Sequence, residues 1–121
     1  MQKKTIVLTV LTFLLLIFSI TYAQDTNFSG TWSTTWADST QSTKMELFQR
    51  GNQVTGTYKF QNGTIQSYVT GNTLQGTWYQ RGNNHNGTFE FTLSPGGNSF
   101  RGVWRSGNQG PWAGEWNGVR M

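Results

Sequence analysis

Few residues of this 121-residue chain have side chains suited to catalysis. The sequence has one histidine, His85 in the turn-forming stretch RGNNHNG, and no cysteine. Nucleophilic catalysis requires a serine or cysteine beside an activating base, and no such motif surrounds His85. A single histidine without cysteine also cannot supply the usual ligands of a zinc site. The sequence therefore predicts an exposed loop imidazole at His85, with no enzymatic activity, no metal and no cofactor.

The five acidic residues are spread along the chain. Two of them, Asp25 and Asp38, lie in a predicted tail and a predicted loop. The other three, Glu46, Glu90 and Glu115, lie at outward positions of predicted strands. Two carboxylates that flank a groove can hydrolyse a glycosidic bond. Because no feature of the sequence brings two of these residues together, a solvated surface is the expected environment of each.

Aromatic side chains indicate binding instead. They make up 15% of the residues and include six tryptophans. Aromatic rings with a few polar groups are the usual lining of a concave ligand site. The residues predicted to line such a site are Trp32, Thr34, Thr43, Tyr58, Trp78, Trp104 and Trp112. The two threonines would supply hydrogen bonds. The rings could equally form a solid core, and the sequence leaves both alternatives open.

A second predicted site uses the outer surface. Exposed aromatics beside arginine favour contacts with proteins or sugars. This alternative site contains three aromatic residues that are predicted to lie out of phase with the core positions, Trp36, Tyr68 and Tyr79. It also contains the arginines predicted to lie beside them, Arg81, Arg101 and Arg105. They would make the protein a carbohydrate- or protein-binding module, for example an inhibitor of a secreted enzyme.

The elements that must position these residues share one phrase. The pattern hydrophobic-x-Gly-x-aromatic occurs as FSGTW, VTGTY, LQGTW, FRGVW and WAGEW, which begin at residues 28, 54, 74, 100 and 112. Side chains alternate across a strand, so the hydrophobic residue, the glycine and the aromatic point to one side. Glycine on the inner face of a strand marks a bend or a close approach of backbone. The phrase therefore predicts a sharply curled sheet with glycine on its inner wall.

Turn signals rich in glycine and asparagine recur about every ten residues, which is the spacing of short strands in an all-β domain. The predicted strands cover residues 28–35, 43–49, 54–61, 64–69, 74–80, 87–93, 100–105 and 112–118. The favoured fold is all-β, an eight-stranded antiparallel up-and-down meander barrel. A two-sheet meander sandwich is the alternative.

Residues 1–23 have the form of a secretory signal peptide, with a basic start, an apolar run and Ala23 before the expected cleavage point. The predicted single domain is then 24–121, secreted or periplasmic, with no membrane attachment after cleavage. Losing Lys3 and Lys4 from nine basic residues, against five acidic ones, reduces the net charge from +4 to +2. This balance does not predict nucleic-acid binding, which needs clustered basic residues.

The stretch FSGTW…STKMELFQRGNQVTGTY resembles the start of the avidin and streptavidin family, within the calycins that also include lipocalin-like proteins. The residues that match the family's order are Gly30, Trp32, Met45, Leu47, Gly56 and Tyr58. The resemblance covers about a third of the chain and implies an eight-stranded barrel with a ring-bearing ligand such as biotin.

Among the polar residues that the family uses for its ligand, Tyr58 is retained. Thr34 stands where the family has asparagine, and Thr43 stands where it has serine. The expected function is that of a secreted binding protein that holds a small hydrophobic or ring-bearing molecule. A small-molecule ligand or a glycan is the expected partner, and the sequence leaves open whether the protein forms a homo-oligomer.

Overall fold

The structure is a computed structural model that describes residues 26–36 and 39–121. In this part of the chain eight antiparallel strands form a closed barrel in which each strand pairs with the next and the last pairs with the first. The strands are β1 (Gly30–Trp36), β2 (Thr43–Arg50), β3 (Gln53–Tyr58), β4 (Gly63–Thr70), β5 (Thr73–Gln80), β6 (His85–Leu93), β7 (Ser99–Ser106) and β8 (Gly114–Arg120). The predicted up-and-down barrel is confirmed, and the sandwich alternative is wrong. The predicted signal peptide, residues 1–23, lies outside the described residues.

Two of the turns at one end of the barrel are only two residues long. Gly51 and Gly71 have φ angles of 62° and 63° in the tight turns after β2 and β4. L-residues with a Cβ rarely adopt this conformation, which explains the Gly-Asn pairs in the sequence. At the other end of the barrel, a 3₁₀ turn (Phe60–Asn62) joins β3 to β4. No helix within the described ranges is long and apolar enough to cross a membrane.

Alternation of apolar and polar residues determines the two faces of the sheet. In β2, for example, Met45 and Leu47 are buried while Glu46 and Phe48 are exposed. The buried apolar residues of the described chain form a single core: Phe28, Trp32, Met45, Leu47, Val54, Tyr58, Ile65, Leu74, Trp78, Phe89, Phe91, Leu93, Phe100 and Trp116. The aromatic positions of four of the five repeated phrases are among them.

The inner glycines lie directly opposite large inner side chains on neighbouring strands. Gly56 pairs with Leu47, and Gly102 pairs with Phe91. A methyl group added at either glycine would overlap the side chain opposite it. The predicted role of the repeated glycine is therefore confirmed at these positions, because the large side chain lies across the strand where a Cβ would be.

One end of the barrel is filled. Phe28, just before β1, is fully buried, and its carbonyl accepts a hydrogen bond from the Trp32 indole at 2.9 Å. The Arg120 guanidinium lies 4.3 Å from the Trp32 ring and donates to the carbonyls of Asn27 and Gly97. These contacts close the end of the barrel at which the turns after β2 and β4 lie, so any interior site must open at the other end.

Candidate functional site

A cavity of about 240 Å³ lies at the other end of the barrel. Its lining residues come from β1, β3, β5, β6, β7, β8 and the loops after β3 and β5. They are Trp36, Tyr58, Phe60, Trp78, Gln80, Asn83, His85, Trp104 and Trp116. Six of these nine residues are aromatic, so the walls present ring faces and edges. The exposed side chains of Phe60, Asn83 and His85 lie at the rim, where the cavity meets solvent.

A chain of hydrogen bonds crosses one wall of the cavity. The Gln80 amide nitrogen donates to the Tyr58 hydroxyl at 3.0 Å, and the Gln80 amide oxygen accepts from Asn83 at 3.1 Å. Burial raises the pKa of Tyr58 to about 12, although the hydrogen bond from Gln80 acts in the opposite direction. Tyr58 is therefore a neutral phenol over the physiological pH range. Because its oxygen already accepts from Gln80, its own proton is available for donation.

Two glycines set the position of the cavity rings. Gly63 lies opposite Tyr58, and a methyl group at Gly63 would overlap the Tyr58 ring. Gly87 has the same relation to Trp78 on the neighbouring strand. These rings lie against the backbone of the next strand, which leaves the space at the centre of the barrel open. Both glycines fall outside the five-residue phrase of the sequence.

A serine and the histidine meet at the rim. The Ser106 hydroxyl lies 2.9 Å from His85 Nε2, and the His85 ring packs edge-on against Trp78 at 5.1 Å. Both residues are exposed. In the part of the chain that the structure describes, no carboxylate hydrogen-bonds to the His85 ring, and no group of three or more potential metal ligands occurs. The pair therefore lacks the third residue that orients the base in a catalytic triad.

Two of the tryptophans that line the cavity have indole N–H groups that are buried without an acceptor. They belong to Trp104 and Trp116, and neither has a hydrogen-bond partner within residues 26–36 and 39–121. The Trp116 side chain is only 4% exposed and packs edge-on against Tyr58 at 5.3 Å. By contrast, the Trp78 indole donates to the carbonyl of Thr88 at 3.2 Å. Buried donors are nearly always satisfied in native proteins, so these two are exceptions.

The structure brings three of the predicted ligand residues together. Tyr58, Trp78 and Trp104 all line the cavity. The other four lie elsewhere. Trp32 is fully buried beneath Arg120 at the filled end.

The two predicted hydrogen-bonding threonines serve the barrel wall. The Thr34 hydroxyl donates to the carbonyl of Thr43 at 3.2 Å, and the Thr43 hydroxyl accepts from the Phe60 amide at 3.1 Å. Both side chains are buried, and neither lines the cavity. The structure thus places them where they hold β1, β2 and the turn after β3 together.

Trp112 differs from its predicted position. The sequence predicted a strand from residue 112, but β8 begins at Gly114, after a loop that contains Pro111. Trp112 is 40% exposed, and the Arg105 guanidinium lies 4.5 Å from its ring. Because the residue precedes the strand, alternation within β8 does not determine its direction. Its predicted inward position is wrong.

The predicted surface site does not form a single patch that includes all its members. Trp36 was predicted to be out of phase with the core, and that is wrong. It shares the phase of Trp32 in β1, packs edge-on against Phe60 at 4.9 Å, and lines the cavity.

The remaining surface residues are distributed over several strands. Tyr68 and Tyr79 are exposed, on β4 and β5, whereas Arg101 and Arg105 lie on β7. Tyr79 and Arg81 share a separate surface groove with Lys44, Glu46 and Lys59.

The sequence-predicted sites omitted five residues that line the cavity: Phe60, Gln80, Asn83, His85 and Trp116. Three of these had a usable signal. Gln80 is in phase with Trp78 on β5, His85 with Phe89 on β6, and Trp116 with Gly118 on β8. Asn83 and Phe60 lie in loops, where strand alternation gives no direction.

Comparisons with known proteins give no relative for this chain. No protein-family model matches it, and no match was found among curated proteins or among solved structures. The geometry of the barrel and its cavity is thus the basis for a functional conclusion.

Proposed function

We propose that this protein is a secreted, non-enzymatic binding protein that holds a small hydrophobic or ring-bearing molecule in the open end of its barrel. The observation that carries the proposal is the cavity lined by six aromatic residues beside a core that fills the other end of the barrel. Aromatic walls with a few polar groups are characteristic of small-molecule sites. A barrel that served only as a scaffold would gain stability by filling this space.

The size of the cavity limits the ligand. A dry protein cavity of ~150 Å³ is large enough for benzene. In proportion, the cavity of about 240 Å³ accommodates a molecule of roughly ten non-hydrogen atoms, such as a fused two-ring compound. Larger ligands would extend past Phe60 and His85 into solvent.

Three features of the site support a binding role over catalysis. The rim pair of Ser106 and His85 is exposed and lacks an orienting carboxylate within the described chain. Tyr58 keeps its proton at neutral pH, so it acts as a hydrogen-bond donor and not as a base. The described residues that line the cavity include no aspartate, glutamate, lysine or arginine.

The resemblance to avidin and streptavidin adds biotin to the compounds worth testing. Of the polar positions considered in the resemblance, Tyr58 lines the cavity, whereas the hydroxyls of Thr34 and Thr43 are engaged in the wall. We therefore expect simple two-ring compounds to bind better than biotin does.

Ligand-induced stabilisation tests the proposal. Thermal unfolding is measured with indane, 1-indanone, 1-naphthoic acid and biotin, each at millimolar concentration. A ligand selective for the folded state at 100 times its Kd adds ~2.7 kcal/mol, which raises the Tm of a domain of this size by roughly 10 °C or more. At least one two-ring compound should produce a clear rise.

Two tryptophan variants locate the binding. Trp104→Ala removes a partly buried cavity ring, while Trp112→Ala removes a partly exposed ring outside the cavity. The stabilisation should be lost in Trp104→Ala and retained in Trp112→Ala. Equal loss in both variants, or no stabilisation by any compound, would overturn the proposal.

A surface site remains the second candidate because of one groove. Tyr79 lines it with three basic side chains, Arg81, Lys44 and Lys59. Glu46 also lines the groove and pairs with Lys44 at 3.4 Å, which leaves the groove a net positive charge. An anionic glycan or an acidic peptide fits this chemistry. If a glycan array shows binding that Tyr79→Ala abolishes and Trp104→Ala leaves unchanged, this second function replaces the first.

A further inference from the structure

The polar and apolar residues of the cavity are separated along the axis of the barrel. We propose that the cavity takes amphiphilic ring compounds in one orientation, with a hydrocarbon ring inside and the polar end of the molecule at the mouth. This inference rests on the proposed function, because it assigns the ligand class and the orientation of the ligand in the same cavity. It adds one requirement, which is that the inner end of the ligand carries no polar atom.

The strand register shows where the polar side chains lie. Tyr58, Gly63, Gln80 and His85 are direct partners across β3, β4, β5 and β6, each at the end of its strand next to the cavity. They form the last inner row of these strands. Asn83, which donates to Gln80, lies in the turn beyond this row. Apart from the indole nitrogens, all polar side-chain groups of the lining are therefore in the last row or beyond it.

The next inner row towards the filled end is apolar. On the same four strands it consists of Gly56, Ile65, Trp78 and Gly87. The Trp78 indole donates to the carbonyl of Thr88 at 3.2 Å, so its N–H group is already bonded. No side chain of this row offers a hydrogen bond to a ligand.

The two other tryptophans below the mouth extend the apolar wall. The indole nitrogens of Trp104 and Trp116 are buried, so they are out of reach of a ligand in the cavity. The Trp116 ring lies on the core, 5.9 Å from the Phe89 ring and 5.1 Å from the Phe91 ring. A ligand therefore meets only apolar surface at its inner end. A hydroxyl placed there would lose its hydrogen bonds to water without replacement.

The mouth provides the opposite environment. Asn83 and His85 line it and are exposed, and the exposed Ser106 hydroxyl lies 2.9 Å from His85 Nε2. Amide, imidazole and hydroxyl groups both donate and accept hydrogen bonds, and solvent reaches all three side chains. A cavity of about 240 Å³ is filled by a fused two-ring system, so a polar group at one end of such a ligand reaches the mouth.

Two isomeric ligands test the inference. In 2,3-dihydroxynaphthalene both hydroxyls lie at one end of the ring system, whereas in 2,6-dihydroxynaphthalene they lie at opposite ends. The two compounds have the same composition, so their polarity and size are matched. Kd values are measured by titration calorimetry on the full folded chain. We expect the 2,3 isomer to bind at least about tenfold more tightly, because the 2,6 isomer must bury one hydroxyl without a partner.

Nuclear magnetic resonance determines the orientation. Intermolecular Overhauser effects should connect the unsubstituted ring of the 2,3 isomer to Trp104 and Trp116, and the protons beside its hydroxyls to Phe60 and His85. Trp104→Ala should weaken binding of this isomer, while Trp112→Ala, which changes a ring outside the cavity, should leave its Kd unchanged.

The outcomes separate the two proposals. If the isomers bind equally in the cavity, or if the hydroxyl end of the 2,3 isomer contacts Trp116, the inference is overturned while the proposed function stands. If neither isomer nor any compound of the thermal screen binds in the cavity, both proposals fail.

Discussion

Tyr58 shows at the scale of a single residue how burial and function are linked. The side chain is 3% exposed, lies across Gly63 and accepts a hydrogen bond from Gln80. Burial disfavours the phenolate and therefore keeps Tyr58 in its neutral form. The same burial makes the stability of the barrel sensitive to alkaline pH.

The pKa of Tyr58 gives a prediction about stability. In the folded protein, burial raises the pKa of Tyr58 from its ordinary value of 10.0 to about 12. The stabilisation is therefore fully present below pH ~10 and is lost as pH rises towards 12, because the unfolded chain loses its proton first. The loss should reach roughly 2–3 kcal/mol.

Urea unfolding of wild type and Tyr58→Phe at pH 8 to 12 measures this loss. Other groups titrate in the same range, so the difference between the two proteins is the quantity to compare. Wild type should lose more stability than Tyr58→Phe above pH ~10. Parallel pH profiles would show that Tyr58 ionises as easily in the fold as in the unfolded chain.

The Ser106 and His85 pair gives a second prediction at the residue scale. Without an orienting carboxylate in the described chain, the hydroxyl should have little nucleophilic activity. Hydrolysis of p-nitrophenyl acetate by wild type and by Ser106→Ala should therefore proceed at the same low rate. A tenfold lower rate in the variant would identify the pair as catalytic.

At the scale of elements, neighbouring strands fit by placing a ring over a glycine. Tyr58 lies over Gly63 between β3 and β4, and Trp78 lies over Gly87 between β5 and β6. Each contact depends on both strands of the pair, because one strand supplies the ring and the other supplies the space at its glycine. It determines how far the cavity rings extend into the barrel.

Replacement of one such glycine should therefore move a ring. Gly63→Ala places a methyl group in the volume of the Tyr58 ring, so we expect a loss of about 1–3 kcal/mol in unfolding free energy and weaker ligand binding. The control is Gly96→Ala, where an added methyl group has an open environment and φ is not positive. Similar stability of both variants in urea unfolding would contradict the ring-over-glycine account.

The segment before β1 is the element that fills the other end. Its carbonyls at Asn27 and Ser29 accept hydrogen bonds from Arg120, and its Phe28 amide donates to Gln49 at 2.9 Å. Arg120→Met should cost roughly 2–3 kcal/mol and speed hydrogen exchange at the Phe28 amide. Arg101→Met, at an exposed position, should change stability by less than ~0.5 kcal/mol.

If the Arg120 variant leaves exchange at Phe28 unchanged, the arginine does not hold this segment in place. The fluorescence of Trp32, which lies under Arg120, offers a second readout of the same end.

Sequence periodicity predicted the elements well because turn chemistry and alternation are local. All eight strands occur within a few residues of the predicted bounds, and the Gly-Asn pairs form turns. Prediction was less successful where the chain leaves the strand pattern. Trp112 lies in a loop, so its direction depends on packing against Arg105, which no local pattern shows.

The candidate site was only partly predictable for a related reason. Alternation placed Tyr58 and Trp78 inside correctly, but it does not say at which end of the barrel an inner residue lies. Trp32 and Tyr58 are both inner residues of the repeated phrase. Trp32 is buried at the filled end by the stagger of the strands and by the segment around Phe28. Tyr58 lies at the other end, where it lines the cavity.

At the scale of the whole molecule, the barrel has one filled end and one cavity end. Phe28, Trp32 and Arg120 occupy the first, while aromatic residues surround a space at the second. Small barrels of eight strands can be solid or can hold one small ligand. The proposed function depends on this asymmetry, because only the unfilled end of the barrel leaves space for a ligand.

The most direct test is the position of a bound ring. Intermolecular nuclear Overhauser effects are recorded between 1-indanone and the isotope-labelled protein. We predict contacts from the ligand protons to the rings of Trp78, Trp104 and Trp116, with none to Trp32 or Trp112. Contacts to Tyr79 or Trp112 in place of the cavity rings, or no contacts at millimolar ligand, would contradict the account.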